Sequence, residues 1–200
     1  MVIVDNKLQK IKQKALEEHI PIIMDDTLDV IENILKDKRP KNILEIGTAT
    51  GYSAICFSEF LDENGKIDTI ERDEERIGEA IQNIKDMGLE ETIKIHKGDA
   101  TEILPTLNEK YDVVFIDAAK GKYPFFLEQA LRLLDENGII FADNILYKGY
   151  VMSDYNKHKQ RTAVRNLREY IKNASENPTL ETEILEVGDG LAISKKRMEK

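Results

Sequence analysis

The spacing of apolar residues predicts strands that alternate with helices from residue 42 onward. Alternation at this spacing favours right-handed crossovers and a parallel sheet with helices on both faces. Residues 113–116, Val-Val-Phe-Ile, are continuously apolar, as expected of a strand that is buried on both faces. The predicted strands are Asn42–Ile46, Lys66–Ile70, Ile93–His96, Tyr111–Ile116 and Gly138–Ala142, and the amphipathic stretches between them are residues 52–61, 73–87, 101–108 and 122–135.

Both ends of the chain depart from this alternation. Two runs, Thr179–Val187 and Leu191–Lys195, flank Gly188-Asp189-Gly190, which is typical of an antiparallel hairpin. The sequence therefore predicts an α/β fold with a seven-stranded, mostly parallel sheet that ends in a C-terminal antiparallel hairpin. The predicted helices at the ends are residues 5–18 and 25–36, which are separated at Pro21, and residues 158–173.

Length and composition indicate one domain that needs no cross-links. A chain of 200 residues is close to the usual size of one domain. The single Cys56 excludes an internal disulfide framework and a Cys-rich zinc site. No apolar run approaches the roughly 18 residues of a membrane span, and the N-terminus lacks a signal-peptide core, so we expect a cytoplasmic protein with no membrane association. The expected organisation within residues 1–200 is N-terminal helices at 1–36, a core at 42–144 and a C-terminal region at 145–200.

The charge is negative overall but unevenly distributed. The chain has 29 basic and 38 acidic side chains, a formal net charge of −9, which argues against a uniformly basic nucleic-acid binder. Residues 145–172 nevertheless carry seven Lys and Arg against two acidic residues, and residues 1–14 carry four Lys against one Asp. These two segments either contact phosphates locally or are simply solvated helix faces.

A glycine-containing loop joins the first predicted strand to the next helix. In the segment Leu44–Ser53, Gly47 and Gly51 let the backbone pass close to a ligand. A nucleotide-type cofactor is expected at this place, where a strand ends and a helix begins. The loop is neither G-x-G-x-x-G nor a P-loop, so a pyrophosphate or triphosphate ligand and a nicotinamide dehydrogenase are not favoured.

Two acidic residues end the next two strands. Glu71 follows Gly51 by 20 residues, and a carboxylate there can accept hydrogen bonds from both hydroxyls of a ribose. Asp99, in Gly98-Asp99-Ala100, is placed to bond an adenine amino group. Each feature alone also fits a tight turn or a helix N-cap, and it is their ordered combination that points to a cofactor site.

That combination resembles the class I S-adenosylmethionine (SAM)-dependent methyltransferases, across residues 20–195. The resemblance implies a Rossmann-like, seven-stranded class I methyltransferase fold with SAM as cofactor. Gly47 and Gly51 would then border the methionine part, and Ser53 would contact the methionyl carboxylate. Glu71 would hold the ribose, and Asp99 would lie beside the adenine.

Oxygen-bearing side chains also end the fourth and fifth predicted strands. Asp117 follows the fourth strand, and Asp143-Asn144 follow the fifth. If these parallel strands are neighbours, the three side chains meet at one edge, and such oxygen ligands suit a hard cation such as Mg²⁺. The alternative is that both Asp residues merely cap loops or helices. The one Cys and three dispersed His offer no good zinc set.

The motifs I-D-A-A-K and A-D-N resemble those of the cation-dependent O-methyltransferases of catechol and caffeoyl-CoA type. The resemblance implies that Asp117, Asp143 and Asn144 bind Mg²⁺ or Mn²⁺ and that Lys120 is catalytic. A divalent cation activates a bound hydroxyl for deprotonation, and it favours a neutral amine nearby that can act as general base. The other interpretation of Lys120 is an exposed loop lysine.

The chelating acceptor is either a small phenol or a modified RNA base. Catechols and 5-hydroxyuracil both offer two vicinal oxygens that form a five-membered chelate. The insert at 145–172 directly follows Asp143-Asn144 and combines the positive charge with Tyr147, Tyr150 and Tyr155, which can stack on bases. The candidate RNA contacts are Lys148, Tyr150, Arg161, Arg165 and Arg168.

Five stretches resemble the bacterial tRNA 5-hydroxyuridine methyltransferases. They include E-E-H-I-P-I-I-M at 17–24, D-N-I-L-Y-K-G at 143–149 and V-G-D-G-L-A-I-S-K-K at 187–196. The resemblance implies 5-methoxyuridine at the tRNA wobble position as product, a backbone contact of Ile23 with the cofactor, a shared role of Asp117 for metal and cofactor, and a homodimer. A small-molecule O-methyltransferase and a non-catalytic SAM-binding module are the alternatives.

Overall fold

The computed structural model describes residues 2–154 and 160–197. Its helices and strands follow the predicted alternation. The helices are α1 (Val2–Glu17), α2 (Asp25–Lys38), α3 (Tyr52–Ser58), α4 (Glu74–Met87), α5 (Ala100–Ile103), α6 (Tyr123–Leu133) and α7 (Arg161–Glu176), with short 3₁₀ turns at Leu104–Thr106 and Lys120–Lys122. The strands are β1 (Asn42–Ile46), β2 (Lys66–Glu71), β3 (Ile93–Lys97), β4 (Tyr111–Ile116), β5 (Leu134–Ala142), β6 (Leu180–Leu185) and β7 (Leu191–Lys196).

The seven strands form one mixed sheet, which confirms the predicted fold class. Chain contacts divide the protein into two compact units, one up to Ile103 and one from Leu104. The single-domain organisation stays a prediction. No helix within residues 2–154 and 160–197 is long and apolar enough to cross a membrane.

The first unit contains three parallel strands in the order β3-β2-β1. The central strand β2 pairs with a strand on each side. Its apolar side chains Ile67 and Ile70 are buried. Helix α4 packs through Ile77, Ala80 and Ile84, which recur at the spacing of one helix face. This arrangement places the carboxyl ends of β1 and β2 side by side.

The second unit contains the strands β4-β5-β7-β6, of which β4 and β5 are parallel and β6 and β7 form the predicted antiparallel hairpin. The start of β7 lies beside the carboxyl end of β5, since Ala192 pairs with Ala142. Helix α7 buries a stripe of residues at spacings of three and four, namely Val164, Leu167, Tyr170 and Ala174.

Most predicted elements differ from the structure by one to three residues at an end, and two differ more. Strand β5 begins at Leu134 rather than Gly138, because residues 135–137 are exposed and lack the apolar pattern of a strand. The stretch 101–108 is a short helix followed by a 3₁₀ turn, and Pro105, which has no N–H to donate, lies in that turn. The predicted start of the last helix, at 158–159, lies outside the described residues.

Candidate functional site

The glycine loop after β1 adopts an unusual backbone. Gly47, Ala49 and Gly51 have positive φ angles of 107°, 45° and 81°. An added Cβ at Gly51 would meet Ala80 at an ordinary 3.5 Å, so conformation rather than space requires glycine there. Ala49 holds a left-handed conformation that is uncommon for a residue with a side chain, and such backbone is concentrated at ligand sites.

Glu71 is fixed by this loop at the end of β2. Its Oε2 accepts a hydrogen bond from the Ala49 N–H at 2.9 Å, and its Oε1 accepts from the N–H groups of Arg72 and Asp73 at 2.8 and 3.0 Å. The carboxylate is partly exposed, so a ligand can reach it. The structure thus holds the predicted ribose acceptor rigidly beside the glycine loop.

A buried polar network behind the loop was missed by the sequence analysis. Glu45 is fully buried in β1 and accepts hydrogen bonds from Ser53 Oγ and Thr69 Oγ1, both at 2.5 Å. Thr69 Oγ1 also lies 2.6 Å from Thr48 Oγ1. A buried carboxylate between two hydroxyls holds the loop and the start of α3 against β1 and β2. The Ser53 hydroxyl donates its proton to Glu45, and the contact of Ser53 with a methionyl carboxylate stays a prediction.

Asp99 and Ile23 are the other predicted cofactor contacts. Asp99 Oδ1 accepts hydrogen bonds from the N–H and the hydroxyl of Thr101, which hold the pKa of Asp99 below its usual value, and Arg72 adds a weaker contribution at 3.3 Å. Asp99 therefore caps the turn after β3 and remains ionised. Ile23 is itself buried and lies just before α2. The cofactor contacts of both residues stay predictions.

Thr50 supplies an observation that fits a missing ligand. Its hydroxyl is buried within the glycine loop and has no hydrogen-bond partner among the described residues. Buried polar groups are nearly always paired, so an unpaired one in a loop of positive φ angles fits a site that is completed on binding.

In the second unit, the carboxyl ends of β4 and β5 bring Asp117 and Asp143 together. The side chain of Asp143 is 1% exposed, and its burial and the charge of Asp117 raise its pKa to about 7. Burial also raises the pKa of Asp117, while the positive Lys120 opposes that shift. Burial and the charge of Asp117 thus disfavour the charged form of Asp143, and a cation is the group that would relieve this.

Lys120 and Asn144 complete this cluster. Lys120 Nζ donates to Asn144 Oδ1 at 2.8 Å and lies 5.6 Å from the centre of the Tyr147 ring. Asn144 has a φ of 56°, and its N–H donates to Asp143 Oδ1 at 2.6 Å. Tyr123, which the sequence analysis did not single out, is fully buried and donates from its hydroxyl to the Asp143 carbonyl at 2.7 Å. Its role is visible only in the fold, since Tyr123 lies 20 residues from Asp143.

The donor set fits a hard divalent cation. Asp117, Asp143 and Asn144 offer only oxygen, which suits Mg²⁺ or Mn²⁺. Within residues 2–154 and 160–197, no group of three or more His, Cys, Asp or Glu side chains is arranged to hold a metal, so this cluster of two carboxylates and an amide differs from a zinc site.

The basic insert is described in part. Arg161 and Arg165 are exposed on α7, and Lys148 is exposed after the turn that follows β5. The rings of Tyr147 and Tyr150 contact edge to face, with their centres 5.9 Å apart. Arg168, in contrast, donates to backbone carbonyls of its own chain. Tyr155, Lys157 and Lys159, which contributed to the predicted RNA-binding surface, lie outside the described residues.

Comparisons with known proteins agree with these features. The family model described as O-methyltransferase matches residues 6–197. A catechol O-methyltransferase from Niastella koreensis is 36% identical over 163 residues, which cover 77% of this chain and 72% of that protein. A solved structure from Staphylococcus aureus, described provisionally as a caffeoyl-CoA O-methyltransferase, is 35% identical with a TM-score of 0.88 and covers 95% of this chain and 92% of its own.

A Bacillus cereus O-methyltransferase solved in complex with SAH is 25% identical, with a TM-score of 0.87 and coverage of 96% of this chain and 91% of its own. SAH is what SAM becomes after methyl transfer, so this relative shows the fold with its spent cofactor bound. The likeness extends over nearly the whole length of this chain. The chain therefore belongs to the SAM-dependent O-methyltransferases of catechol and caffeoyl-CoA type.

Proposed function

We propose that this O-methyltransferase depends on a divalent cation and methylates the 5-hydroxyl of 5-hydroxyuridine at the tRNA wobble position. The observation that carries the metal dependence is the pair Asp117 and Asp143, two carboxylates of raised pKa beside the amide oxygen of Asn144. Without a cation, these buried charges raise the free energy of the folded protein. A bound cation offsets that cost.

The chemistry at the site follows from these residues. When bound, SAM supplies an electrophilic methyl group on a positive sulfur, and Mg²⁺ or Mn²⁺ supplies Lewis acidity to the acceptor hydroxyl. Lys120 Nζ, which contacts Asn144, accepts the proton of that hydroxyl. Asp117 would bind the cation and orient the cofactor. Glu71, which accepts a hydrogen bond from the Ala49 N–H, would bind the cofactor's ribose. Much of the rate then comes from positioning the acceptor oxygen in line with the methyl group.

The tRNA acceptor rests on the insert after Asp143-Asn144. Lys148, Arg161 and Arg165 are exposed and positively charged, and Tyr150 offers a ring for base stacking. These groups carry a local positive charge on a chain whose net charge is −9. Electrostatic attraction to phosphates would therefore act through such basic segments and not through the chain as a whole. The homodimer and the cytoplasmic location stay predictions.

A small catechol is the second candidate acceptor. It satisfies the same chelating geometry, and the relative from Niastella koreensis is named as a catechol O-methyltransferase. A catechol needs no basic surface. Transfer to tRNA would therefore depend on the basic residues of α7, and transfer to a catechol would not.

The deciding experiment is nucleoside mass spectrometry on tRNA that carries 5-hydroxyuridine, incubated with protein and SAM in Mg²⁺ or in EDTA. A parallel reaction contains a catechol. We expect a Mg²⁺-dependent gain of one methyl group on the nucleoside. Methylation of the catechol alone would refute the tRNA acceptor, equal activity in EDTA would refute the metal dependence, and no transfer to either acceptor would favour a non-catalytic SAM-binding module.

A further inference from the structure

The guanidinium of Arg168 is turned onto the segment that follows β5. Its Nε donates to the Val151 carbonyl at 3.0 Å, and its Nη2 donates to the carbonyls of Tyr150 at 3.2 Å and of Ser153. Three consecutive donors of one planar group thus bind three carbonyls of one turn. The edge formed by Nε and Nη2, which could otherwise bind a phosphate, is therefore occupied by hydrogen bonds within the protein.

The opposite side of this segment is held by the β6–β7 turn. The Asp189 carbonyl accepts hydrogen bonds from the N–H groups of Leu146 and Tyr147 at 2.9 and 3.1 Å, and its Oδ1 accepts from the Lys148 N–H at 3.3 Å. Tyr147 and Lys148 both have positive φ angles, 37° and 56°. A backbone of this kind persists only where its surroundings hold it, and here it is held from two sides.

The segment places groups of the proposed acceptor site. Asn144 lies at its start with Oδ1 2.8 Å from Lys120 Nζ, and the Tyr147 ring lies against the same amine. Tyr150, whose carbonyl Arg168 binds, contacts Tyr147 edge to face. If the turn at 150–153 moves, Tyr150 and its neighbour Tyr147 therefore move as well, and the surroundings of Lys120 change.

We infer that Arg168 is a positioning residue for the acceptor site and is not an RNA contact. Its hydrogen bonds hold residues 150–153 against α7, an effect called pinning below. The inference rests on the proposed function for its catalytic consequence. The pinning itself rests only on the hydrogen bonds of Arg168.

The test compares three variants, R168A, R168K and the control K172A. Lys172 is an exposed basic residue one turn further along α7, so its removal changes the charge of the helix by the same amount. The first readout is hydrogen–deuterium exchange of the peptides that cover residues 145–153. We expect faster exchange in R168A, an intermediate rate in R168K, which keeps the charge but loses the planar fork, and the wild-type rate in K172A.

The second readout is steady-state transfer to a catechol and to tRNA. For both acceptors, we expect kcat/KM of R168A to fall by about tenfold to a hundredfold, which is the usual consequence of a misplaced catalytic group. The KM for SAM is expected to stay unchanged, and R168K is expected to recover part of the loss. An unfolding curve recorded for each variant excludes a global loss of structure.

Three outcomes separate the possibilities. Exchange in R168A equal to that in K172A refutes the pinning. Loss of tRNA transfer with catechol transfer and exchange both intact refutes the positioning role and makes Arg168 an RNA contact. If the wild-type protein transfers no methyl group, the proposed function fails, while faster exchange in R168A would still establish the pinning.

Discussion

The raised pKa of Asp143 predicts that the metal site destabilises the metal-free protein. The pKa is about 7 in the folded state, against an ordinary value of 3.8. Between these two pH values the folded state therefore keeps a proton on Asp143 that the unfolded state has released. The contribution of this group to stability is complete below the unfolded pKa and is lost as the pH rises through the folded pKa. At about 1.4 kcal/mol per pKa unit, the penalty is on the order of 1–2 kcal/mol at pH 5 and about 4 kcal/mol at pH 8.

Substitution of Asp143 by Asn removes this penalty. Asparagine keeps an oxygen that can accept the hydrogen bond from the Asn144 N–H, while the negative charge is lost and the other carboxylate oxygen becomes an NH2 group. In EDTA, we expect D143N to raise the free energy of unfolding by an amount that grows by about 2–3 kcal/mol between pH 5 and pH 8. Urea unfolding followed by circular dichroism at both pH values measures this difference.

The matched control is Asp135→Asn in the same strand. Asp135 is exposed, and its Oδ1 likewise accepts a hydrogen bond from the next N–H, that of Glu136. We expect no pH-dependent gain there. In saturating Mg²⁺, the wild-type protein should recover stability that D143N does not. A gain in D143N that is the same at pH 5 and pH 8, or the same as in D135N, would refute the argument that buried charge is the cause.

Three further perturbations address the cofactor, the acceptor and the support of the site. Glu71→Gln removes a charged acceptor, so isothermal titration should show SAM binding weakened by about tenfold to a hundredfold; unchanged affinity would contradict the ribose role. The double variant Arg161→Glu/Arg165→Glu should abolish most transfer to tRNA and leave catechol transfer unchanged, and equal loss for both acceptors would count against an RNA surface. Tyr123→Phe leaves the Asp143 carbonyl without its buried donor, so urea unfolding should show a loss of about 1–3 kcal/mol, whereas an unchanged midpoint would assign that hydrogen bond no net value.

Local patterns were sufficient to predict most of the fold. β1 and β4 begin and end where the sequence predicts, because their apolar runs are bounded by polar residues or turns. β5 starts four residues before the predicted position, since its first part carries the exposed Asp135 and Glu136 and lies at a shift of register, where Leu134 pairs with Tyr111 and the next pair is Ile139 with Val113. A hydrophobic pattern indicates which residues are buried. It gives no signal for a part of a strand whose side chains are exposed.

The supporting contacts of the site could not be predicted in this way. Glu45 lies in the segment Leu44–Ser53, yet its partners Ser53 and Thr69 are eight and 24 residues away, and nothing in their spacing identifies them. Arg168 was predicted as an RNA contact from the positive charge and the tyrosines of its insert, and that pattern does not reveal the hydrogen bonds of its guanidinium. Whether an arginine faces solvent or its own backbone depends on the fold of the segment opposite, which here lies 15–18 residues earlier in the chain.

The Asp143-Asn144 pair shows why this residue order suits the end of β5. Position 144 has a φ of 56°, a conformation that glycine and asparagine tolerate best. Glycine would satisfy the backbone and would supply no side-chain oxygen for a cation or for Lys120. Aspartate would supply the oxygen and would add a third carboxylate beside two whose pKa values are already raised by burial. Asparagine is the residue that meets both demands without further charge, so the backbone geometry and the electrostatics of the cluster select the same side chain.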